Sequence, residues 1–117
     1  MKLKDSTAWE CRWFDLAVDQ DQTDCEVIFD ASYADYQGEV HVGFMNNDGQ
    51  VVVINYSYGS CSGCDPWEDM PEEQAKADLR ATIATMSPAE FLRYATMSQI
   101  IPNLDQWVSD FTRQYID

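Results

Sequence analysis

"GEVHVGFMNNDGQVVVINYSY", residues 38–58, decides the fold. Val40, Val42 and Phe44 alternate with polar or small residues, the period of a half-buried strand. "NNDG" (residues 46–49) is a hairpin turn, because Asn, Asp and Gly tolerate the positive φ that such turns demand. The return run places Val51, Val53 and Asn55 on one face and Val52, Ile54, Tyr56 and Tyr58 on the other. It is apolar on both faces at its start, which predicts a central position in a sheet.

Upstream, "CEVIFDASY" (residues 25–33) alternates so that Cys25, Val27, Phe29, Ala31 and Tyr33 would share one face. Trp9, Cys11 and Trp13 also alternate, and "WFDLAV" after them suits either a first strand or a short helix. Downstream the period changes. "MPEEQAKADLRATIATM" (residues 70–86) opens with Pro71 and two glutamates, as a helix dipole prefers, and carries Ala75, Leu79, Ile83 and Met86 as an apolar stripe. "SPAE" (residues 87–90) is a capping box that opens a helix bearing Phe91, Leu92 and Ala95. Asn103 can cap a last helix whose Leu104, Trp107, Val108, Phe111 and Tyr115 recur at helical spacing and read as core. The expectation is one α+β domain over residues 1–117. A small antiparallel sheet of three to four strands within residues 8–58 packs against two or three C-terminal helices within 70–116. Its other face is expected to be open, acidic and aromatic-rich.

The 117 residues are 45% hydrophobic, enough for a core, and carry a net charge of −14. The charge is segregated. Residues 13–75 contain 14 carboxylates and no lysine or arginine, while residues 1–12 and 76–117 nearly balance at +1 and −1. Such a field repels nucleic acid, anionic lipid and phosphate substrates, and attracts basic protein surfaces. A surface built for solubility alone mixes both signs. The two N-terminal lysines precede no long apolar run, and no stretch is long and apolar enough to span a bilayer. A soluble protein of the cytoplasm is the expectation, with no direct nucleic-acid or membrane partner.

Four cysteines invite metal and redox readings. Cys61 and Cys64 form a C-x-x-C with Gly63 inside it and Gly59 two residues before it, a good half of a zinc knuckle. Cys11 and Cys25, or His41, would have to complete it, and zinc is the cofactor such a site would hold. Asp65, Glu68 and Asp69 follow at once, and neighbouring carboxylates raise a thiol pKa, the reverse of what a redox or nucleophilic cysteine needs. "DQDQTDCEVIFD" (residues 19–30) has the length of a calcium loop but has Asp24 where Gly is wanted and Asp30 at the last position. His41 is the single histidine, and its spacing supports no triad. No catalytic residue stands out, so a binding protein is favoured over an enzyme. A cysteine-dependent enzyme or thiol-redox protein, with Cys61 or Cys64 as the reacting group, is the third reading, after a zinc-stabilised accessory domain.

"DASYADYQGEVHVGF" and "YSYGSCSGCDPWE" resemble a group of small proteins from tailed-phage genomes with a Tyr-rich strand running into a Gly-Ser-Cys-x-x-Cys-Asp turn. Tyr33, Tyr36, Gln37, Gly38, Tyr56, Tyr58, Gly59, Ser60, Cys61, Cys64, Asp65 and Trp67 carry the resemblance, over about residues 30–69. It implies a phage accessory protein acting in a bacterial host cytoplasm, and it carries over no catalytic residue. By class and charge, the expectation is a DNA-mimic-like inhibitor of a basic host protein that handles nucleic acid or serves in defence, as anti-CRISPR and anti-restriction proteins do. Its expected docking residues are Asp35, Glu39, Asp65, Glu68, Asp69, Glu72 and Glu73. Tyr33, Tyr36, Tyr56, Tyr58 and Trp67 are the aromatic anchors if exposed.

Overall fold

A computed structural model describes residues 1–11, 13–34, 38–59, 67–98 and 101–116. The fold is α+β. Strands β1 (Glu26–Asp30), β2 (Gly38–Met45), β3 (Val51–Tyr58) and β4 (Ala84–Met86) form an antiparallel sheet in the order β1-β2-β3-β4. The helices are α1 (Phe14–Ala17), α2 (Glu72–Arg80), α3 (Pro88–Ser98) and α4 (Leu104–Tyr115). Among the described residues no helix is long and apolar enough to cross a membrane.

The hairpin forms as its sequence dictates. Asn46 Oδ1 accepts the amides of Asp48 and Gln50, each at 2.9 Å, and Gly49 adopts φ +78°. β2 and β3 pair without a break from Gly38↔Tyr58 to Met45↔Val51.

Both faces of the sheet are covered, so the expected open face does not exist. On one face Val40, Val42, Phe44, Val52, Ile54 and Tyr56 pack with Phe14 and Ala17 of α1, Ala75 and Leu79 of α2, and Leu3 and Ala8 of the N-terminal turns. On the other, Phe29, Val51 and Val53 pack with Phe91 and Ala95 of α3, Ile101, and Phe111 of α4. The described residues between 8 and 18 therefore form no strand. They make a 3-10 turn (Thr7–Glu10) and the short α1, which roof the first face.

β1 departs from simple alternation. Val27 pairs with Phe44 but Phe29 pairs with Gly43, so Ile28 is an extra residue in a bulge. The bulge leaves Cys25 and Val27 with the first core and turns Phe29 into the second. The Phe29 ring then lies directly against the backbone of Gly43, where any Cβ would collide with it. Phe91 stacks on its far side at a centroid distance of 5.7 Å and also meets Trp107 and Phe111.

The helix expected over residues 70–86 stops at Arg80. The run "TIAT" is rich in β-branched residues, and Thr82 Oγ1 bonds back to Leu79 C=O at 2.6 Å, a local bond that competes with helix continuation. Ala84–Met86 instead pairs with Val51–Val53, satisfying the backbone of β3 on its outer side. The capping box does form: Glu90 N–H donates to Ser87 Oγ at 3.2 Å, and Ser87 N–H to Glu90 Oε1 at 3.4 Å. Asn103 precedes α4 in a left-handed conformation (φ 53°) and caps it with no side-chain hydrogen bond.

Gly43→Ala should force the Phe29 ring off the sheet and cost about 1–3 kcal/mol, the usual range for overpacking. Urea unfolding would read this as a lower midpoint with unchanged slope. A midpoint equal to that of the parent would disprove the contact.

Candidate functional site

The acidic residues from the start of α2 converge with α1 rather than with the strands. Trp67 sits in the turn that leads into α2, and α2 packs on α1. Between them lies an open groove of about 390 Å³, lined by Trp13, Asp15, Leu16, Trp67, Glu68, Met70, Glu72 and Ala75. The rings of Trp13 and Trp67 meet edge to face at 6.0 Å. Asp15, Glu68 and Glu72 are exposed, and Asp69 and Glu73 stand beside them on the same turn and helix start.

The geometry is held from beneath. Tyr56 of β3 touches Trp67 edge to face at 5.6 Å, so the tryptophan is anchored on the sheet. Burial pushes the Tyr56 hydroxyl far above its ordinary pKa, with the nearby Asp15 carboxylate adding to the effect, so the phenol stays neutral. Trp13 has φ 77° and ψ −5°, a conformation that bulky residues avoid. The packing of its ring offsets that backbone cost.

The sequence-derived docking residues separate into three groups. Glu68 and Glu72 are exposed and line the groove with Trp67, while Asp69 and Glu73 are exposed next to them in sequence but do not line it. Tyr33 (51% exposed), Glu39 and Tyr58 lie at the open end of the β2–β3 hairpin, where Tyr33 and Glu39 form an isolated bridge and the Tyr58 ring covers Gly38. Asp35, Tyr36 and Asp65 lie outside the described residues. Tyr56 and Trp67 are only 6% and 7% exposed, which corrects their reading as surface anchors: both are core. Trp13 escaped the sequence reading as a site residue because neither its turn conformation nor its meeting with Trp67 has a local signature.

The four-cysteine metal site is not assembled. Cys11 and Cys25 are buried free thiols. Cys11 Sγ lies 3.1 Å from the Tyr33 carbonyl and 3.7 Å from that of Glu39, to which the thiol donates. Cys25 precedes Glu26, which pairs with Met45. From Glu39 to Met45 is six residues of strand, roughly 20 Å at the usual rise. The two cysteines therefore sit at opposite ends of the sheet and cannot share one ion. Burial also pushes both thiols up in pKa, away from the thiolate a metal needs. Cys61 and Cys64 lie outside the described residues. No group of three or more candidate ligands gathers among the described residues.

The calcium-loop reading fails because three of its four aspartates are engaged singly with other groups. Asp19 pairs with Arg80 and Asp24 with Lys4, while Asp30 accepts the amides of Thr7 and Ser32, each at 2.9 Å. His41 is tied to the second core: its Nε2 lies 2.9 Å from Tyr94 Oη, its ring meets Phe29 edge-on, and burial lowers its pKa.

No family model matches the chain, and neither a curated protein nor a solved structure matches it.

The positive φ at residue 13 can be tested by an inverted ranking. Both Trp13→Gly and Trp13→Ala remove the ring, but only glycine relieves the backbone, so the glycine variant should be the more stable by about 1 kcal/mol. The reverse order in urea unfolding would disprove the strained conformation. The raised pKa values of Cys11 and Cys25 predict alkaline sensitivity. The folded form keeps these protons above the ordinary thiol value of 9.0, where the unfolded chain releases them. Stability is thus fully present below that value and falls as pH rises through it. Urea midpoints should decline on that side, and Cys11→Ala with Cys25→Ala should flatten the decline.

Proposed function

We propose that the chain is a small acidic binding protein that docks a DNA-mimic-like face on a basic surface of a host nucleic-acid-handling or defence protein. The observation that carries this reading is the state of the carboxylates around the groove. Asp15, Asp69, Glu72 and Glu73 are exposed, and none has an ion pair among the described residues. Among the described residues, four basic side chains are engaged elsewhere: Lys2 with Glu26, Lys4 with Asp24, Arg80 with Asp19 and Arg113 with Asp110. Lys76, one turn along α2 from Glu72, also makes no ion pair with these groups.

Clustered like charges repel one another, at a cost to the folded chain. They become favourable when a basic surface neutralises them, and they steer that surface in from a distance. Proteins that bind DNA carry Lys and Arg matched to its phosphates, so a rigid run of carboxylates can occupy the same surface. The phage resemblance adds a setting in which such an inhibitor has a use, a bacterial cytoplasm with defence complexes to block.

The triple change Asp69→Lys, Glu72→Lys and Glu73→Lys should abolish capture of the basic partner from host lysate at low salt. It should keep the helical circular dichroism of the folded protein and lower the urea midpoint only in part, because exposed charges at a helix start contribute about 0.3–1 kcal/mol each, at most about 3 kcal/mol for the three. The parent's capture should weaken steeply as salt rises. Undiminished capture by the triple variant would overturn this placement of the docking face.

A further inference from the structure

The groove between α1 and α2 specifies more than a sign of charge. Its walls are apolar and aromatic, formed by Trp13, Trp67, Leu16 and Met70, and its rim carries carboxylates, among them Asp15 and Glu72. Resting on the reading that the partner is basic, we propose that the groove receives an arginine side chain of that partner, its guanidinium against Trp13 and its edge toward Asp15 and Glu72.

The combination of groups selects arginine over the other cations. A divalent metal ion takes oxygen ligands at close range and gains nothing from tryptophan and leucine walls. A lysine ammonium is a compact, strongly hydrated charge that makes poor use of a flat ring. A guanidinium is planar and weakly hydrated. It can lie on an aromatic face while its N–H fork binds carboxylates, and both contacts are satisfied at once in a groove that has a ring on the wall and carboxylates at the rim. Its aliphatic stem suits Leu16 and Met70, since long basic side chains bury their methylenes and keep the charge outside. The volume of about 390 Å³ has room for an arginine side chain with some of its neighbouring backbone. Trp13 needs little ordering on binding, because its edge contact with Trp67 already fixes it, and a fixed wall loses less entropy when a ligand arrives.

The test uses the whole protein and two labelled peptides of equal length and charge, one alternating Gly with Arg and the other Gly with Lys, titrated by fluorescence anisotropy at fixed low salt. The Arg peptide should bind at least about tenfold more tightly than the Lys peptide, as expected when stacking and forked hydrogen bonds add to a common charge attraction. Trp13→Ala should collapse this ratio toward one while leaving the Lys peptide within about twofold of its parent affinity. Asp15→Asn, an isosteric change at an exposed position, should also narrow the ratio and guards against a Trp13 variant that misfolds. Equal binding of the two peptides by the parent protein would overturn the arginine assignment and leave the acidic-docking reading standing. Equal weakening of both peptides by Trp13→Ala would do the same. Failure of the parent to bind either peptide would overturn both.

Discussion

Strand β3 has no polar side where it begins. Val51 and Val53 point into one core, and Val52 and Ile54 into the other. A strand of this kind cannot lie at a water-facing surface, so the chain must supply a cover for each side. The C-terminal helices α3 and α4 supply one. The N-terminal turns with α1 and α2 supply the other. The bulge at Ile28, the ring of Phe29 on Gly43 and the return of β4 to the edge of β3 are all adjustments to this double-sided core.

The two covers differ electrically because of where the basic residues fall. Lys2, Lys4 and the N-terminal amine hold Glu26 and Asp24 along the edge of β1, and Arg80 reaches from the end of α2 to Asp19. These are exposed pairs and add little to stability. Their effect is to neutralise one end of the N-terminal cover. At the other end, where Trp67 leads into α2, Asp69, Glu72 and Glu73 make no ion pair among the described residues. A segregation that is one-dimensional in the sequence thereby becomes a local feature of the surface.

Much of this was legible from residue patterns. The hairpin, the Ser87–Glu90 capping box and the aromatic stripe of α4 each rest on contacts within a few residues, and each formed as its pattern implied. The doubly apolar start of β3 already implied that both faces of the sheet need cover, a consequence that the pattern of separate helices obscured. What could not be read depends on tertiary geometry. The bulge is invisible because "VIF" fits either alternation, and β4 exists only because β3 offers a free edge. For the site, the cluster of Glu68, Asp69, Glu72 and Glu73 was evident. Its aromatic partner Trp13 was not, because it arrives from the other end of the chain in a conformation that no local preference favours.

The groove joins residues 13–16 to residues 67–75, segments about fifty positions apart in the chain. Between them in the chain lie β1, β2 and β3, the strands of the sheet on which both segments pack. Charge belongs to the composition and survives unfolding, cleavage or shuffling of the sequence. The tryptophan corner does not: it requires a long loop to be closed, and closing long loops is the slow, entropically expensive part of folding. An unfolded or clipped chain would therefore still attract basic surfaces but would do so without discrimination. Under the proposed function, selectivity is then a late product of folding, acquired only when residues near position 13 have met the turn at Trp67 that precedes α2.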